Sequence, residues 1–456
     1  MSAPALATAL KPKVAVLGLS SPLEVGADQA PLVAQALADV LRAAGCEVVA
    51  LGPVDTPGKA AAAGRLAAEQ HVDAFAAVAA SWFEDYLVLD LLEEWPAPVL
   101  LWSTVGMETG ALCGTQQLTC YLKQLGRPFG CVFGDLRDAG YRARALTYLR
   151  AAALHARLRR ARIGLAGQRI GGMTHTSPNE FMLKRALGPR VVPLDVPRLL
   201  TRAGEFGAGQ TRPLWQQVTA AAGVTRVPEA EGLGAMGVYL ALRELVEQEG
   251  LAALSVGCYP HLMGRVCLAA SLLADQGVPL ACEGDVNGAV GQLLLQLLSG
   301  RPTHNTDWLN PLADGTVIFT HCGSGSFALA EKQSDITLAD VRLMGQGVCA
   351  LFPAKPGPVT LVSLIATAGG YQVALLEGEA QSASMVFPGN PVRVQFAQGT
   401  GDLIDWIHET GIGHHWMIGY GHVGAEVRAW ATLAGPSLTL VEPQRPPCGT
   451  PSSVPA

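Results

Sequence analysis

The chain has 456 residues, of which 49% are hydrophobic and only 15% are charged, and its formal net charge is −6 at pH 7. This length predicts two or three domains, and this composition excludes a largely disordered chain. Nucleic-acid binding is disfavoured, because it would need a clustered basic face. Neither a signal peptide nor an apolar run of about 18 uncharged residues is evident, so we expect a cytoplasmic protein without a membrane segment.

The first part of the chain alternates apolar strand patterns with helix patterns. The sequence predicts strands at 13–19, 47–51, 73–80 and 98–103, and helices at 29–44, 58–70 and 138–160. Strands and helices in alternation are typical of a parallel sheet covered by helices on both faces. We therefore expect a Rossmann-like N-terminal domain over residues 1–165.

A second alternating region follows, and it predicts a second Rossmann-like domain over residues 166–308. Its predicted strands are 190–194, 251–257 and 279–282, and its predicted helices are 235–249, 266–276 and 286–298. Glu283 comes directly after the last of these strands. Open α/β sheets bind ligands beyond the carboxyl ends of their strands, so Glu283 lies where a ligand is expected.

The pattern changes after residue 309, where strands follow one another with few helices between them. Predicted strands are 316–320, 360–366, 371–377, 392–396 and 438–441, with a last helix at 425–433. Pro and Gly residues punctuate these strands, which favours a β-rich, barrel-like domain over residues 309–456. We expect the Pro-rich tail from Pro443 onward to be loosely held.

The acidic residues around Glu283 are the first candidates for chemistry. A carboxylate between a buried strand and a helix start costs several kcal/mol unless it is paired or bound to a metal, which points to function for Glu283. Asp285 precedes the next helix, so a helix N-cap is its simplest role. Asp307, taken alone, would ordinarily be a turn or cap residue.

Three histidines are further candidates. His321 ends a predicted strand before a Gly/Ser-rich segment, and its pattern fits either a metal ligand or a simple turn. His414 and His415 are adjacent, and neighbouring residues on a strand point to opposite faces. We therefore expect at most one of the pair to face a given site.

Several of these segments together resemble the fucose isomerase branch of the L-fucose isomerase and L-arabinose isomerase superfamily. The resemblance rests on Ala281-Cys282-Glu283-Gly284-Asp285-Val286, the Ser299-Gly300-Arg301-Pro302 turn, Asp307, His321-Cys322-Gly323, and the run from His415 to Ala425. The resemblance covers roughly residues 251–440. Before residue 251 it is limited to the predicted architecture. It implies a chain of three domains and a Mn²⁺-dependent aldose–ketose isomerase.

By match of position, the resemblance implies that Glu283 and Asp307 are the metal-binding acid/base carboxylates and that His415 is the third ligand. His321 loosely fits a metal-binding histidine of the arabinose isomerase branch. The resemblance also implies a homo-oligomer, a trimer or hexamer, with active sites at subunit interfaces. Trp82 follows the third predicted strand, where it could stack on a sugar in a neighbouring subunit's site or merely pack against the next helix.

The function expected from the sequence is isomerisation of a free sugar by proton transfer through an enediolate. L-fucose, D-arabinose, L-arabinose and less common deoxy or sulfonated sugars remain open as substrates. A non-catalytic sugar-binding or regulatory protein is the alternative, although such a protein would not need the metal ligands. A metallohydrolase would require an activated water and usually more histidine ligands.

Overall fold

A computed structural model describes residues 10–444, and within this range the chain divides into two compact units. The N-terminal unit comprises residues 10–158 and 425–436, and the C-terminal unit comprises residues 159–424 and 437–444. None of the helices in the described range is long and apolar enough to cross a membrane.

The N-terminal unit contains a five-stranded parallel sheet. Its strands are β1 (Lys13–Leu19), β2 (Glu47–Val54), β3 (Ala74–Ala79), β4 (Val99–Ser103) and β5 (Phe129–Phe133), and its helices are α1 (Ala30–Ala43), α2 (Pro57–Glu69), α3 (Tyr86–Glu94), α4 (Ala111–Gln124) and α5 (Ala139–Arg160). The strand order is β2-β1-β3-β4-β5. Every residue of β3 is buried, as expected for a central strand covered on both faces.

The C-terminal unit begins with a four-stranded parallel sheet of order β10-β9-β6-β7. The elements in this part are β6 (Arg162–Ala166), α6 (Glu180–Met182), β7 (Arg190–Leu194), α7 (Val196–Glu205), α8 (Ala208–Ala221), β8 (Val224–Thr225), α9 (Glu229–Glu249), β9 (Ala253–Val256), α10 (Cys267–Asp275), β10 (Leu280–Ala281) and α11 (Val286–Ser299). Strand β10 is only two residues long, and Cys282 alone separates it from Glu283.

An antiparallel barrel forms the rest of the C-terminal unit. The remaining elements are β11 (Thr303–Pro311), β12 (Thr316–Thr320), β13 (Thr337–Ala339), β14 (Cys349–Leu351), β15 (Gly357–Ala366), β16 (Tyr371–Gln381), β17 (Val392–Phe396), α12 (Thr400–Thr410), β18 (His415–Tyr420), α13 (Gly424–Ala434) and β19 (Leu438–Val441). The barrel strands follow the order β15-β18-β11-β12-β17-β16, and pairing of β15 with β16 closes the ring. The parallel strand β19 extends β16, whereas β8, β13 and β14 form a small separate sheet.

Helix α11 connects the parallel sheet of this unit to the barrel. It contacts β6, β9 and β10 on the sheet side and β11, β15 and β18 on the barrel side. Gly288 and Gly291 face Met417 of β18, and a Cβ at Gly288 would lie 2.6 Å from the Met417 Cε atom. These small residues let the helix pack closely on the barrel, so the start of α11 is fixed relative to β18.

The fold class predicted from the sequence is confirmed, since two parallel-sheet regions precede a barrel-like β region. The division into three domains stays a prediction, because the second parallel sheet and the barrel belong to one compact unit. The tail expected to be loosely held lies, from residue 445 onward, outside the described residues.

Candidate metal and active site

Glu283 lies in a tight turn between β10 and α11. Its φ angle is +65° and that of Gly284 is +72°, so two consecutive residues adopt the left-handed region. A non-glycine residue in this region costs on the order of 1 kcal/mol or more, and it marks Glu283 as a residue held by its surroundings. Only glycine fits at position 284, because a Cβ there would lie 2.6 Å from the backbone N and Cα atoms of Arg169.

Asp285 ends this turn and begins α11. Its Oδ1 atom accepts a hydrogen bond from the backbone N–H of Gly288 at 2.8 Å, so the N-cap role predicted for Asp285 is confirmed. Its second oxygen, Oδ2, lies 2.8 Å from Nδ1 of His415. The carboxylate therefore joins the helix start to the first residue of β18.

Asp307 and His415 lie directly opposite each other on neighbouring antiparallel strands, β11 and β18. Directly opposed residues project from the same face of a sheet, which brings the two side chains together although 108 residues (415 − 307) separate them in sequence. Taken alone in the sequence, Asp307 looked like a turn or cap residue. That expectation is wrong, because the polar run 303–307 forms a largely buried strand.

The Nε2 atom of His415 is the point on which the carboxylates converge. It lies 3.0 Å from Oε2 of Glu283 and 3.5 Å from Oδ1 of Asp307. The Oδ1 atom of Asp307 is buried and has no hydrogen-bond partner among the described residues. A buried acceptor without a partner is costly, so this oxygen is available to a ligand.

His321 follows β12 and approaches the same carboxylate. Its Nε2 atom lies 3.7 Å from Oε2 of Glu283, and the side chain is buried. Glu283, His321 and His415 each offer one ligand atom within 4.8 Å of the others. The structure thus places His321 beside the proposed ligands, and its role as a ligand stays a prediction.

Two further histidines surround this centre. His414 Nε2 lies 3.9 Å from Oδ1 of Asp307, so both adjacent histidines approach the same carboxylate. The expectation of opposite faces is wrong because His414 precedes β18 and is not bound by strand alternation. The ring of His175, in the loop after β6, lies 4.9 Å from that of His414 and 5.6 Å from that of His415.

His175 was not singled out by sequence reasoning. The one available signal was its place after the carboxyl end of a parallel strand, β6, which is hydrogen-bonded to β9. Gly413 makes room for it, since a Cβ there would lie 2.8 Å from Cδ2 of the His175 ring. Burial and the charges of His415 and His414 lower the pKa of His175, which favours the neutral form of its imidazole.

The charges of the cluster compensate one another. Burial raises the pKa of Glu283, but the interactions with His321 and His415 outweigh this effect and lower its pKa overall. Burial lowers the pKa of His415, whereas hydrogen bonds with Asp285 and Glu283 raise it to about 9. Burial also acts against protonation of His321, yet its interactions with Cys322 and Glu283 raise its pKa above the ordinary value. The imidazoles and carboxylates thus stabilise each other's charged forms, and a bound cation would take over this role by displacing protons from the imidazoles.

The donor set fits a divalent cation such as Mn²⁺. Carboxylate oxygens and imidazole nitrogens are ligands that Mn²⁺ accepts. Ligand bonds of about 2.1 Å place neighbouring ligand atoms roughly 3 Å apart in an octahedron. The separations of 3.0 Å from Glu283 to His415 and 3.5 Å from His415 to Asp307 are close to that spacing. The ligand atoms form two groups that share His415, one with Glu283 and His321 and the other with Asp307 and His414.

Trp82 lies in the N-terminal unit, between β3 and α3. Its indole N–H donates to Oε1 of Gln117 at 3.1 Å, and the side chain is half-buried. The adjacent Phe83 is fully buried in the core of that unit. Packing therefore accounts for Phe83, and a sugar-binding role for Trp82 stays a prediction.

Comparison with known proteins gives relatives for most of the chain. No protein-family model matches it. The chain is 25% identical over 356 residues to a sulfoquinovose isomerase from Priestia aryabhattai, a match that covers 74% of this chain and 78% of the relative. It is 23% identical over 363 residues to a sulfoquinovose isomerase from Alkalicoccus urumqiensis, covering 77% and 82% of the two chains. A sulfoquinovose isomerase from Clostridium sp. (strain MSTE9) is 22% identical over 352 residues, covering 74% and 79%.

Proposed function

We propose that this protein is a metal-dependent aldose–ketose isomerase that acts on a free sugar. The observation that carries the proposal is the convergence of Glu283 and Asp307 on Nε2 of His415, at 3.0 and 3.5 Å. Similarity over about three quarters of the chain to proteins named sulfoquinovose isomerase indicates an enzyme that interconverts an aldose and a ketose. A pure sugar-binding protein would have no use for such a ligand set.

Glu283, Asp307 and His415 would hold the cation, with His321 beside them. A bound divalent cation supplies positive charge where negative charge develops on the sugar oxygens. One of the two carboxylates removes the proton on C2 of the open-chain aldose, and an enediolate forms. The proton then returns to C1 while a second proton moves from O2 to O1, which gives the ketose. A carboxylate placed for each transfer contributes roughly 10²–10⁴-fold in rate.

Sulfoquinovose is the substrate that we propose first. The relatives are named for this sugar, whose sulfonate group distinguishes it from L-fucose, D-arabinose and L-arabinose. These three sugars, which the resemblance to the superfamily suggested, are the comparison substrates. We also propose a cytoplasmic location.

The decisive experiment measures ketose formation from these four sugars by metal-depleted protein, before and after Mn²⁺ is added. We expect ketose from sulfoquinovose only in the reconstituted protein, with a chelator abolishing the activity. If a ketose forms from one of the other sugars instead, the protein is an isomerase, but sulfoquinovose is not its substrate. If protein that has taken up Mn²⁺ binds a sugar but forms no ketose, the isomerase proposal is wrong and the protein is a sugar-binding protein.

We further propose that the protein is a homo-oligomer, a trimer or hexamer, with active sites at subunit interfaces. Support comes from the loops after β1, β3 and β4, which meet at the carboxyl edge of the N-terminal sheet. Leu23 is 97% exposed and Met107 is fully exposed on these loops. The backbone N–H of Trp82 donates to the carbonyl of Thr109 at 2.6 Å, which ties the Trp82 loop to the Met107 loop. Large apolar side chains gathered at an exposed edge suit burial by a second copy of the chain.

A further inference from the structure

Asp285 carries more than a helix cap. It is 2% exposed, and its two oxygens have different partners. Oδ1 accepts from the backbone N–H of Gly288 at 2.8 Å, and Oδ2 lies 2.8 Å from Nδ1 of His415. A helix N-cap needs only one side-chain oxygen, so the second contact requires its own explanation.

The surroundings leave room for this second contact. A Cβ at Gly288 would lie 2.5 Å from Oδ2 of Asp285 and 2.6 Å from the Met417 side chain. The missing side chain at Gly288 therefore gives space to the oxygen that reaches His415. The first turn of α11 therefore accommodates the contact between the Asp285 carboxylate and the His415 imidazole.

We propose that Asp285 is a positioning residue that fixes the ring orientation and tautomer of His415 for metal binding. Its acceptor oxygen retains hydrogen on Nδ1 of the neutral imidazole, which leaves the lone pair on Nε2 free for the cation. That nitrogen is the atom lying 3.0 Å from Glu283 and 3.5 Å from Asp307. This inference rests on the proposed metal-dependent function. It adds a role for Asp285, which is not one of the proposed metal ligands.

Replacing Asp285 by serine separates the two roles. A serine hydroxyl is also a good N-cap acceptor, but it is too short to bridge from Gly288 to His415. We expect Asp285→Ser to keep its helix and to bind Mn²⁺ about 10–100-fold more weakly than the wild type, as loss of such an outer partner typically does. In ¹H–¹⁵N spectra of protein loaded with Zn²⁺, a diamagnetic divalent cation, the Nδ1–H signal of His415 that the wild type shows should disappear in this variant.

A matched control is available in the same unit. Asp195 caps α7 by accepting from the backbone N–H of Arg198 at 2.8 Å, and it is exposed. Asp195→Ser makes the same chemical change at a helix start that carries no histidine contact. We expect it to leave Mn²⁺ affinity and the His415 signal unchanged.

Asp285→Asn is the second variant, for use if the serine variant does not fold. Asparagine keeps the size of the side chain, and its oxygen can cap the helix, but its amide nitrogen can only donate toward Nδ1 of His415, which favours hydrogen on Nε2 instead. If a folded Asp285 variant that keeps the cap binds Mn²⁺ within about twofold of the wild type, the positioning role is wrong. Failure of the wild type itself to bind Mn²⁺ would instead overturn the proposed metal-dependent function.

Discussion

At the residue scale, one imidazole organises the candidate site. His415 is 5% exposed, and its two nitrogens approach three carboxylates, those of Asp285, Glu283 and Asp307. Burial of so many charges is tolerated only because each is paired or bound. The residue types and the resemblance predicted Glu283, Asp307 and His415 as ligands; the structure brings them close together, and their role stays a prediction. The second role of Asp285 and the approach of His175 and His414 depend on tertiary contacts that no local pattern encodes.

Glu283 is the residue whose loss should remove catalysis. We expect Glu283→Gln to reduce turnover below about a hundredth of the wild type, because the amide can neither accept a proton nor offer charge to the cation. The fold should stay intact, since the two side chains have the same shape. Ketose formation and far-ultraviolet circular dichroism would be measured together.

Glu205→Gln is the matched control for this change. Glu205 is 55% exposed at the end of α7 and pairs with Arg202 on the surface, so its replacement should leave turnover unchanged. Turnover of Glu283→Gln above about a hundredth of the wild type would remove Glu283 from the catalytic groups.

At the element scale, the prediction of strands succeeded where apolar residues dominate. β12, β17 and β19 have the bounds expected from the sequence. β11 was missed because it opens with Thr303-His304-Asn305-Thr306, a polar run that reads as a loop. These side chains are buried because β18 pairs with this run and α11 packs against β11, and such contacts are not visible in a local pattern.

The turn from β10 to α11 is the element on which the site geometry most depends. We expect Gly284→Ala to destabilise the protein by more than the 1–2 kcal/mol of a left-handed alanine. The added Cβ would meet the backbone of Arg169 at 2.6 Å, so the turn that presents Glu283 must shift. Activity should fall together with stability, as measured by denaturant unfolding and ketose formation.

Gly250→Ala isolates the steric part of this effect. Gly250 ends α9 with a φ angle of +59°, close to the +72° of Gly284, but the nearest atom to its Cβ would be Nη1 of Arg162 at 3.9 Å. This variant should lose only the free energy of unfolding that an alanine loses by adopting the left-handed conformation, and it should keep its activity. Equal destabilisation of the two variants would contradict the close packing of Gly284 on Arg169.

At the scale of the whole molecule, the fold class followed from the change in pattern along the chain. Alternating strands and helices predicted the parallel sheets, and consecutive strands after residue 309 predicted a barrel-like region. The closure of the barrel could not be predicted, since it depends on ten residue pairs between β15 and β16 and on pairing of β15 with β18 more than 50 residues later. The assignment of α13 to the N-terminal unit could not be predicted either, because this helix follows the barrel strands in sequence.

The role of Trp82 belongs to this largest scale, because it concerns the assembled protein. If the loop edge of the N-terminal sheet completes a neighbouring subunit's site, Trp82→Ala should lower kcat/KM by about tenfold, roughly 1.4 kcal/mol of lost aromatic contact. The control is Trp95→Ala, since Trp95 is also half-buried but follows α3 and donates to the carbonyl of Val72 at 3.0 Å. Kinetics on the sugar panel and the mass by light scattering decide the question. Unchanged KM and kcat for Trp82→Ala would leave Trp82 with a packing role alone.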